Sequence, residues 1–206
     1  MATLVVFALE REAKPFRRRA PAGVRVAVCG VGPAAVEQVL PALLTDDIES
    51  VLMAGFCGAL REGLSVGDVI TTDAVIDEHG GSWGTGPIRL LTTDRMIGDP
   101  IEKRHLGERH EAAIVDMESA TVARICARHG MPFLAIRAVS DEVTTRLSPD
   151  LLNLLAGGKV SPLRVITSLI RRPAILREFL RLGRDTKLAA NRLADGIGNH
   201  LASGAA

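Results

Sequence analysis

The stretch Phe133-Leu134-Ala135-Ile136-Arg137-Ala138-Val139-Ser140-Asp141 decides the fold. Its first four residues are continuously apolar, the pattern of a strand buried on both faces; a strand with one wet face alternates instead. The same stretch carries Arg137, Ser140 and Asp141 to its carboxyl end, which is where open α/β sheets bind ligands. Upstream, Val115-Asp116-Met117-Glu118-Ser119-Ala120 opens a helix over Glu118–His129, closed by Gly130 ahead of Met131-Pro132. A plain structural reading also exists for these polar residues. Ser140 or Asp141 can cap a following turn, Asp116 can cap the helix, and Arg137 can pair with Asp141.

Working outward, the apolar, β-branched runs Leu4–Ala8, Val24–Val28, Val51–Ala54, Val69–Thr72 and Arg89–Thr92 read as further strands. Pro33 followed by Ala34, Val36, Val39, Leu40 and Leu43 spaces as a helix with proline in its first turn. Strand and helix alternate, which predicts an α/β fold with a mixed, largely buried sheet. From Pro149 onward the chain is helical in character.

At 206 residues and 47% hydrophobic, the chain can bury one sizeable core, and without internal repeats it is expected to form a single domain over residues 1–206. It holds no run of about 18 apolar residues, and Glu10 and Arg11 follow the first short strand, so a cytoplasmic protein without a signal peptide is expected. Cys29, Cys57 and Cys126 are odd in number and widely spaced, which argues against a disulfide framework or a zinc site.

The formal charge of +1 conceals an asymmetry. A basic segment, residues 159–206, holds 9 Lys/Arg against 3 Asp/Glu, while residues 1–158 hold 16 against 21. With no Tyr and few other aromatics there are no stacking platforms for single-stranded nucleic acid, so no nucleic-acid partner is expected. From Pro162 to Leu182, apolar residues recur at near-helical spacing among Arg164, Arg171, Arg172, Arg177 and Arg181, with Pro173 breaking the pattern. Two surface helices lying on the domain are the favoured reading; a membrane-surface element is the alternative.

Four blocks in order carry a resemblance. They are Val5-Val6-Phe7-Ala8-Leu9-Glu10-Arg11-Glu12; Met53-Ala54-Gly55-Phe56-Cys57-Gly58-Ala59-Leu60 running into Val66-Gly67-Asp68-Val69; and the two quoted first. Together they resemble the nucleoside phosphorylase and nucleosidase superfamily, which includes methylthioadenosine/S-adenosylhomocysteine nucleosidase, futalosine hydrolase and the hopanoid-associated phosphorylases. The coverage is about residues 3 to 145. Leu91-Thr92-Thr93-Asp94-Arg95-Met96-Ile97, with Glu102-Lys103-Arg104 after it, looks most like the hopanoid-associated branch.

The resemblance implies a three-layer α/β/α fold with a mixed central sheet, a homo-oligomer, and a small-molecule nucleoside substrate, lipid-linked if the hopanoid branch is right. It implies no metal or organic cofactor. Between Asp73 and Asp94 relatives spend a strand pair and a helix, whereas here only Gly80-Gly81-Ser82-Trp83-Gly84-Thr85-Gly86-Pro87 intervenes. A short, flexible segment is expected there, altering pocket closure and subunit contact.

Breaking an N-glycosidic bond requires the purine to leave, and adenine leaves poorly until a ring nitrogen is protonated. Asp141 matches the family's acid for that step, with Ser140 orienting it. A carboxylate on the ribose hydroxyls suits a transition state with oxocarbenium character, and Glu118 matches that position. Met117 matches the residue against the sugar face, Met96 and Ile97 those that cradle the purine, and Arg137 completes the substrate-binding set. Gly55 and Phe56 match the glycine-rich loop, where small residues let the backbone approach the nucleoside. Phe56 departs from the serine several nucleosidases carry there.

Water and phosphate both remain possible nucleophiles in this family, and Glu12 favours water. The matching glutamate polarises the attacking water in nucleosidases, and a carboxylate there repels phosphate. Gly30-Val31-Gly32-Pro33 can bind an anion, a ribose or water at a helix start, but the phosphorylases' Gly-x-Pro-Ser turn and its arginine are not recognisable. The expectation is therefore a nucleosidase releasing adenine from a 5′-modified adenosine, adenosylhopane first. Phosphorolysis, or methylthioadenosine/S-adenosylhomocysteine or futalosine as substrate, are the alternatives. A catalytically silent nucleoside-binding, membrane-associated protein is the alternative of another class.

Overall fold

A computed structural model describes residues 2–155 and 173–204 of the chain. Its centre is a mixed sheet of nine strands: β1 (Ala2–Phe7), β2 (Val24–Val28), β3 (Ile48–Ala59), β4 (Val69–Thr72), β5 (Val75–Asp77), β6 (Ser82–Trp83), β7 (Leu90–Thr92), β8 (Ile114–Asp116) and β9 (Phe133–Asp141). The helices are α1 (Glu10–Arg17), α2 (Pro33–Val39) with a 3-10 turn at Leu40–Leu43, α3 (Pro100–His110), α4 (Ser119–Arg128), α5 (Pro149–Leu155) and α6 (Pro173–Ala202).

The long strand β3 organises the sheet by forking. Along its first part it pairs in parallel with β1 on one side and β9 on the other; at Gly58 and Ala59 it turns to pair antiparallel with β8. From β8 the sheet continues through β7 and β5 to β6, while β4 closes the other flank against β9. The apolar runs predict burial on both faces, and the core obeys. Val5, Phe7, Leu52, Ala54, Ile136 and Ala138 meet one helical layer through Ala13 and Phe16 of α1 and Leu193 and Ile197 of α6. Their alternates Leu4, Val6, Val51 and Met53 meet Val36, Val122, Ile125 and Cys126 of α2 and α4 on the opposite face. Two helical layers thus sandwich the sheet, as expected of an α/β/α fold.

Several elements differ from the sequence reading. Val115 and Asp116 do not open a helix but belong to β8, with α4 starting at Ser119 and Glu118 at its N-cap. The segment between Asp73 and Asp94 is not a bare flexible loop: β6 pairs antiparallel with β5 at Val75–Trp83 and Ile76–Ser82. A helix begins at Pro173, where the missing N–H of proline costs nothing. The residues Pro162, Leu163, Arg164, Arg171 and Arg172 of the basic stretch lie outside the described residues. Further along, α6 sits close on the sheet because Gly196 has no Cβ; one built there falls 2.7 Å from Val69 Cγ1. Among the described residues, no helix is long and apolar enough to cross a membrane.

Candidate active site

Strand ends and the turns that follow them deliver carboxylates to one place. Glu12 comes from the first turn of α1 after β1, Glu118 from the junction of β8 with α4, and Asp141 from the last position of β9. All three line a cavity of about 360 Å³, together with Met117, Ser140, Phe56, Met96 and Ile97. That volume is at the small end of the range for sites that enclose a drug-sized ligand, about 300–1,000 Å³. Eight of the ten sequence-predicted site residues therefore converge. The other two, Arg137 and Gly55, stand behind the wall rather than on it.

Glu12 is buried, with both oxygens anchored by backbone. Oε2 accepts the Leu9 N–H and Oε1 the Phe56 N–H, each at 2.9 Å. Each oxygen keeps a lone pair for another donor. Burial pushes this carboxyl up from its ordinary value, against the pull of the Phe56 N–H and of Arg137. The reason for glycine at position 55 differs from the one expected. A Cβ there would meet not a ligand but Arg137 Nη1 at 2.4 Å and Glu12 Oε1 at 3.2 Å. Gly55 thus clears space for a guanidinium beneath the cavity floor. Phe56 contributes its N–H inward while its ring lies 5.8 Å under the Arg11 guanidinium, a cation–π distance.

Arg137 is fully buried, and its partner is Asp116 rather than Asp141. Its Nη2 donates to Asp116 and to Ser119 Oγ. Asp116 also accepts the Ser119 N–H at the start of α4 and, at 2.7 Å, the Thr92 hydroxyl from β7. A single ion pair therefore ties β9, β8, β7 and α4 together, and Arg137 acts on the cavity through its charge and not by contact. The helix-capping reading of Asp116 is correct, and Asp116 also reaches the cavity wall.

That placement bears on Glu118. Its Oε1 accepts the Gly32 N–H at 2.9 Å, linking the N-terminus of α4 to the glycine turn before α2. Gly32 holds φ +84, a left-handed conformation that glycine adopts freely. Burial, and then the neighbouring Asp116 charge, push Glu118 up to about 7. Cys57 also lines the cavity, but burial holds its thiol well above its ordinary value, so it is not a thiolate nucleophile.

Asp141 owes its orientation to an irregularity. Cys57 pairs with Val139 and Gly58 with Asp141, so Ser140 is an extra residue in β9, a bulge that re-aims the strand end. The Ser140 hydroxyl lies 2.7 Å from Asp141 Oδ1 and 3.2 Å from the Cys57 carbonyl, and donates its one hydrogen to either. Asp141 Oδ2 accepts from the ammonium of Lys103, a residue with no exposed surface. The sequence reading missed Lys103. It lies in the charged run Glu102-Lys103-Arg104, where no local pattern sets it apart from its partly exposed neighbours; in the structure it is buried together with Gly107, one turn on.

Two further features were not legible. Leu182 and Thr186 of α6 and Leu147 complete the cavity wall, so the carboxy-terminal helix helps build the site. Met96 remains 38% exposed while Ile97 is buried, so of the two predicted purine-cradling residues only Ile97 is a core side chain. Among the described residues, no group of His, Cys, Asp and Glu is arranged to hold a metal ion.

Known proteins resemble this chain in sequence and in fold. Over 136 residues the chain is 27% identical to futalosine hydrolase of Streptomyces coelicolor, covering 66% of this chain and 58% of that protein. Over 53 residues it is 38% identical to a 5′-methylthioadenosine/S-adenosylhomocysteine nucleosidase of a Shewanella species, covering 25% of this chain and 22% of the enzyme. The aligned stretches thus span between about a fifth and three fifths of these relatives' own lengths. Among solved structures, the 5′-methylthioadenosine/S-adenosylhomocysteine nucleosidase of Neisseria meningitidis, in complex with methylthio-immucillin-A, superimposes with a TM-score of 0.70 at 19% identity, covering 98% of this chain and 99% of that one. The model of the phosphorylase superfamily matches residues 21–100 and 85–152, two segments that overlap just after β6. With most of its length matched by that model, the chain belongs to the phosphorylase superfamily.

Proposed function

We propose that this chain is a hydrolytic nucleosidase that cleaves the N-glycosidic bond of a 5′-modified adenosine and releases adenine. One observation carries the reading. Three buried carboxylates from three separate segments, Glu12, Glu118 and Asp141, line a single cavity, each held by its own donor. That is the set the reaction needs: an acid at the departing base, an acceptor for the ribose hydroxyls, and a base for the incoming water.

In this mechanism Asp141 gives its proton to a purine ring nitrogen as the C1′–N bond breaks, while Glu118 accepts hydrogen bonds from the ribose and stabilises the positive charge developing on the sugar. Glu12, its oxygens oriented by the Leu9 and Phe56 N–H groups, takes a proton from water as that water attacks C1′. Met117 and Ile97 provide apolar surface for sugar and base. Water is preferred to phosphate because four buried carboxylates, Glu12, Asp116, Glu118 and Asp141, and the exposed Glu10 line the cavity against two exposed arginines, Arg11 and Arg95, while the buried guanidinium of Arg137 is already committed to Asp116 and Ser119. A phosphate dianion would meet more negative than positive charge at short range.

For the 5′ substituent, the names of the curated relatives favour a small thioether or a futalosine-like group. A lipid-linked adenosine such as adenosylhopane is the second reading. It is supported by the apolar wall of Leu147 and Leu182 and by the exposed arginines Arg177, Arg181 and Arg184 on the same helix as Leu182, which suit contact with a membrane surface. The test is base release from methylthioadenosine, S-adenosylhomocysteine, futalosine and an adenosine with a long 5′ alkyl chain presented in vesicles. Turnover of the soluble compounds alone removes the lipid reading, and turnover of none removes the nucleosidase reading.

A further inference from the structure

Among the described residues, Lys103 is the one buried ammonium beside the cavity, and the mechanism above leaves it without a task. It sits in the first turn of α3, whose start is fixed by Asp99 accepting the N–H groups of Ile101 at 2.8 Å and Glu102 at 3.3 Å. The side chain has no exposed surface and spends all three of its donors: on Asp141 Oδ2, on the Glu142 carbonyl at 2.9 Å and on the Thr145 carbonyl at 3.3 Å. The Glu142 carbonyl also accepts the Thr145 N–H at 2.9 Å, so the ammonium grips both the acid and the turn that follows it. On the other side of Oδ2, Gly58 leaves so little room that a Cβ there would lie 3.1 Å from that oxygen.

We propose that Lys103 is a positioning residue for base departure. Burying an ammonium is costly and is offset here by three oxygen acceptors, Asp141 Oδ2 and two carbonyls, which makes this an over-determined clamp. With Oδ2 occupied by Lys103, Oδ1 is the oxygen left to carry the proton to the purine. As that proton passes to the ring nitrogen and the C1′–N bond breaks, Asp141 becomes a full carboxylate, and the adjacent ammonium stabilises the charge where it forms. The Ser140 hydroxyl, able to point at the Cys57 carbonyl or at Oδ1, turns toward Oδ1 once the proton has gone. This inference rests on the nucleosidase reading above and adds to it the group that acts through Asp141.

The experiment compares Lys103→Met, Asp141→Asn and the double variant on two substrates. One is methylthioadenosine, whose adenine must be protonated to leave; the other is 4-nitrophenyl β-ribofuranoside, whose phenolate leaves without a proton. Lys103→Met is expected to lose roughly 100-fold in kcat on methylthioadenosine, with KM changed less than about 3-fold, and to keep most of its rate on the nitrophenyl riboside. The double variant is expected to be no slower than Asp141→Asn on methylthioadenosine, a comparison that needs only that substrate. Equal losses on both substrates, or a double variant well below Asp141→Asn, would overturn the proposal. Should Lys103→Met fail to fold, the double variant, which lacks both charges, decides alone. If it folds and matches Asp141→Asn the proposal stands, and if it also fails to fold Lys103 is only structural. A wild-type protein inactive on methylthioadenosine, the other three substrates named above and the nitrophenyl riboside alike sinks the nucleosidase reading instead.

Discussion

Glu118 Oε1 and the Gly32 N–H are joined at 2.9 Å across 86 residues of chain. That bond fastens the first turn of α4 to the glycine turn ahead of α2 and puts a carboxylate under the position the ribose would occupy. Only one of the two oxygens is engaged in this bond, leaving the other to accept from a sugar hydroxyl.

Glu118 should make both binding and stability depend on pH near neutrality. It is held up at about 7 in the folded protein, against an ordinary carboxylate value of 4.5. The folded state therefore binds this proton more tightly than the unfolded state, so its stabilising contribution is complete below about 4.5 and is lost as pH rises through 7. Glu12, raised in the same direction, adds to the trend. Thermal melting from pH 5 to pH 8 should show a falling Tm for the wild type and a smaller fall for Glu118→Gln, the gap widening toward pH 8. Each kcal/mol corresponds to roughly 2–4 °C in a chain of this size. Substrate affinity should move the opposite way, improving as Glu118 ionises; a pH-independent KM would contradict its placement on the ribose.

Glu12→Gln should cost about 100-fold or more in turnover, because an amide cannot take the proton from water. The amide NH2 must also face either the Leu9 or the Phe56 N–H, both of which now donate to the carboxylate. Steady-state kinetics with a melting curve on the same sample separates the two effects. A folded variant with near-normal turnover would remove Glu12 from the chemistry.

Gly55→Ala should be destabilising and nearly inactive although Gly55 does not line the cavity. The added carbon meets Arg137 Nη1 at 2.4 Å, and forcing a methyl into a filled interior costs typically about 1–3 kcal/mol. A lower Tm with activity falling alongside is the expected result; an unchanged Tm would mean that Arg137 relaxes without consequence.

Arg137→Met should cost roughly 3–5 kcal/mol, since it strands Asp116 as a buried charge. Adding Asp116→Asn to that variant should recover part of the loss, because the stranded charge is then gone. Denaturant unfolding of the two single variants and the double measures the coupling, and strict additivity would contradict the pairing.

Much of the sheet was legible because burial writes itself as apolar runs: Val24–Val28 and Val69–Thr72 match their strands end to end. The failures have physical causes. β3 runs to Ala59, but Gly55 and Gly58 disguise its second half as a loop, when in fact they clear space for Arg137 and Asp141. β8 spans three residues, too short for any period, and is made a strand by its neighbours β3 and β7. In the site, residues at strand ends were readable because an α/β sheet puts its ligands there. Pair choices were not. That Arg137 takes Asp116 and Asp141 takes Lys103 depends on how α3 and α4 dock, which no local pattern records.

The central claim is that water, directed by Glu12, displaces adenine at C1′. The direct measurement is turnover of methylthioadenosine in phosphate-free buffer made with 18O-water, with the sugar product read by mass spectrometry. The account predicts adenine release at full rate without phosphate, one 18O in the free ribose product, and neither signal for Glu12→Gln. Turnover that requires phosphate and yields a ribose 1-phosphate without 18O would contradict it.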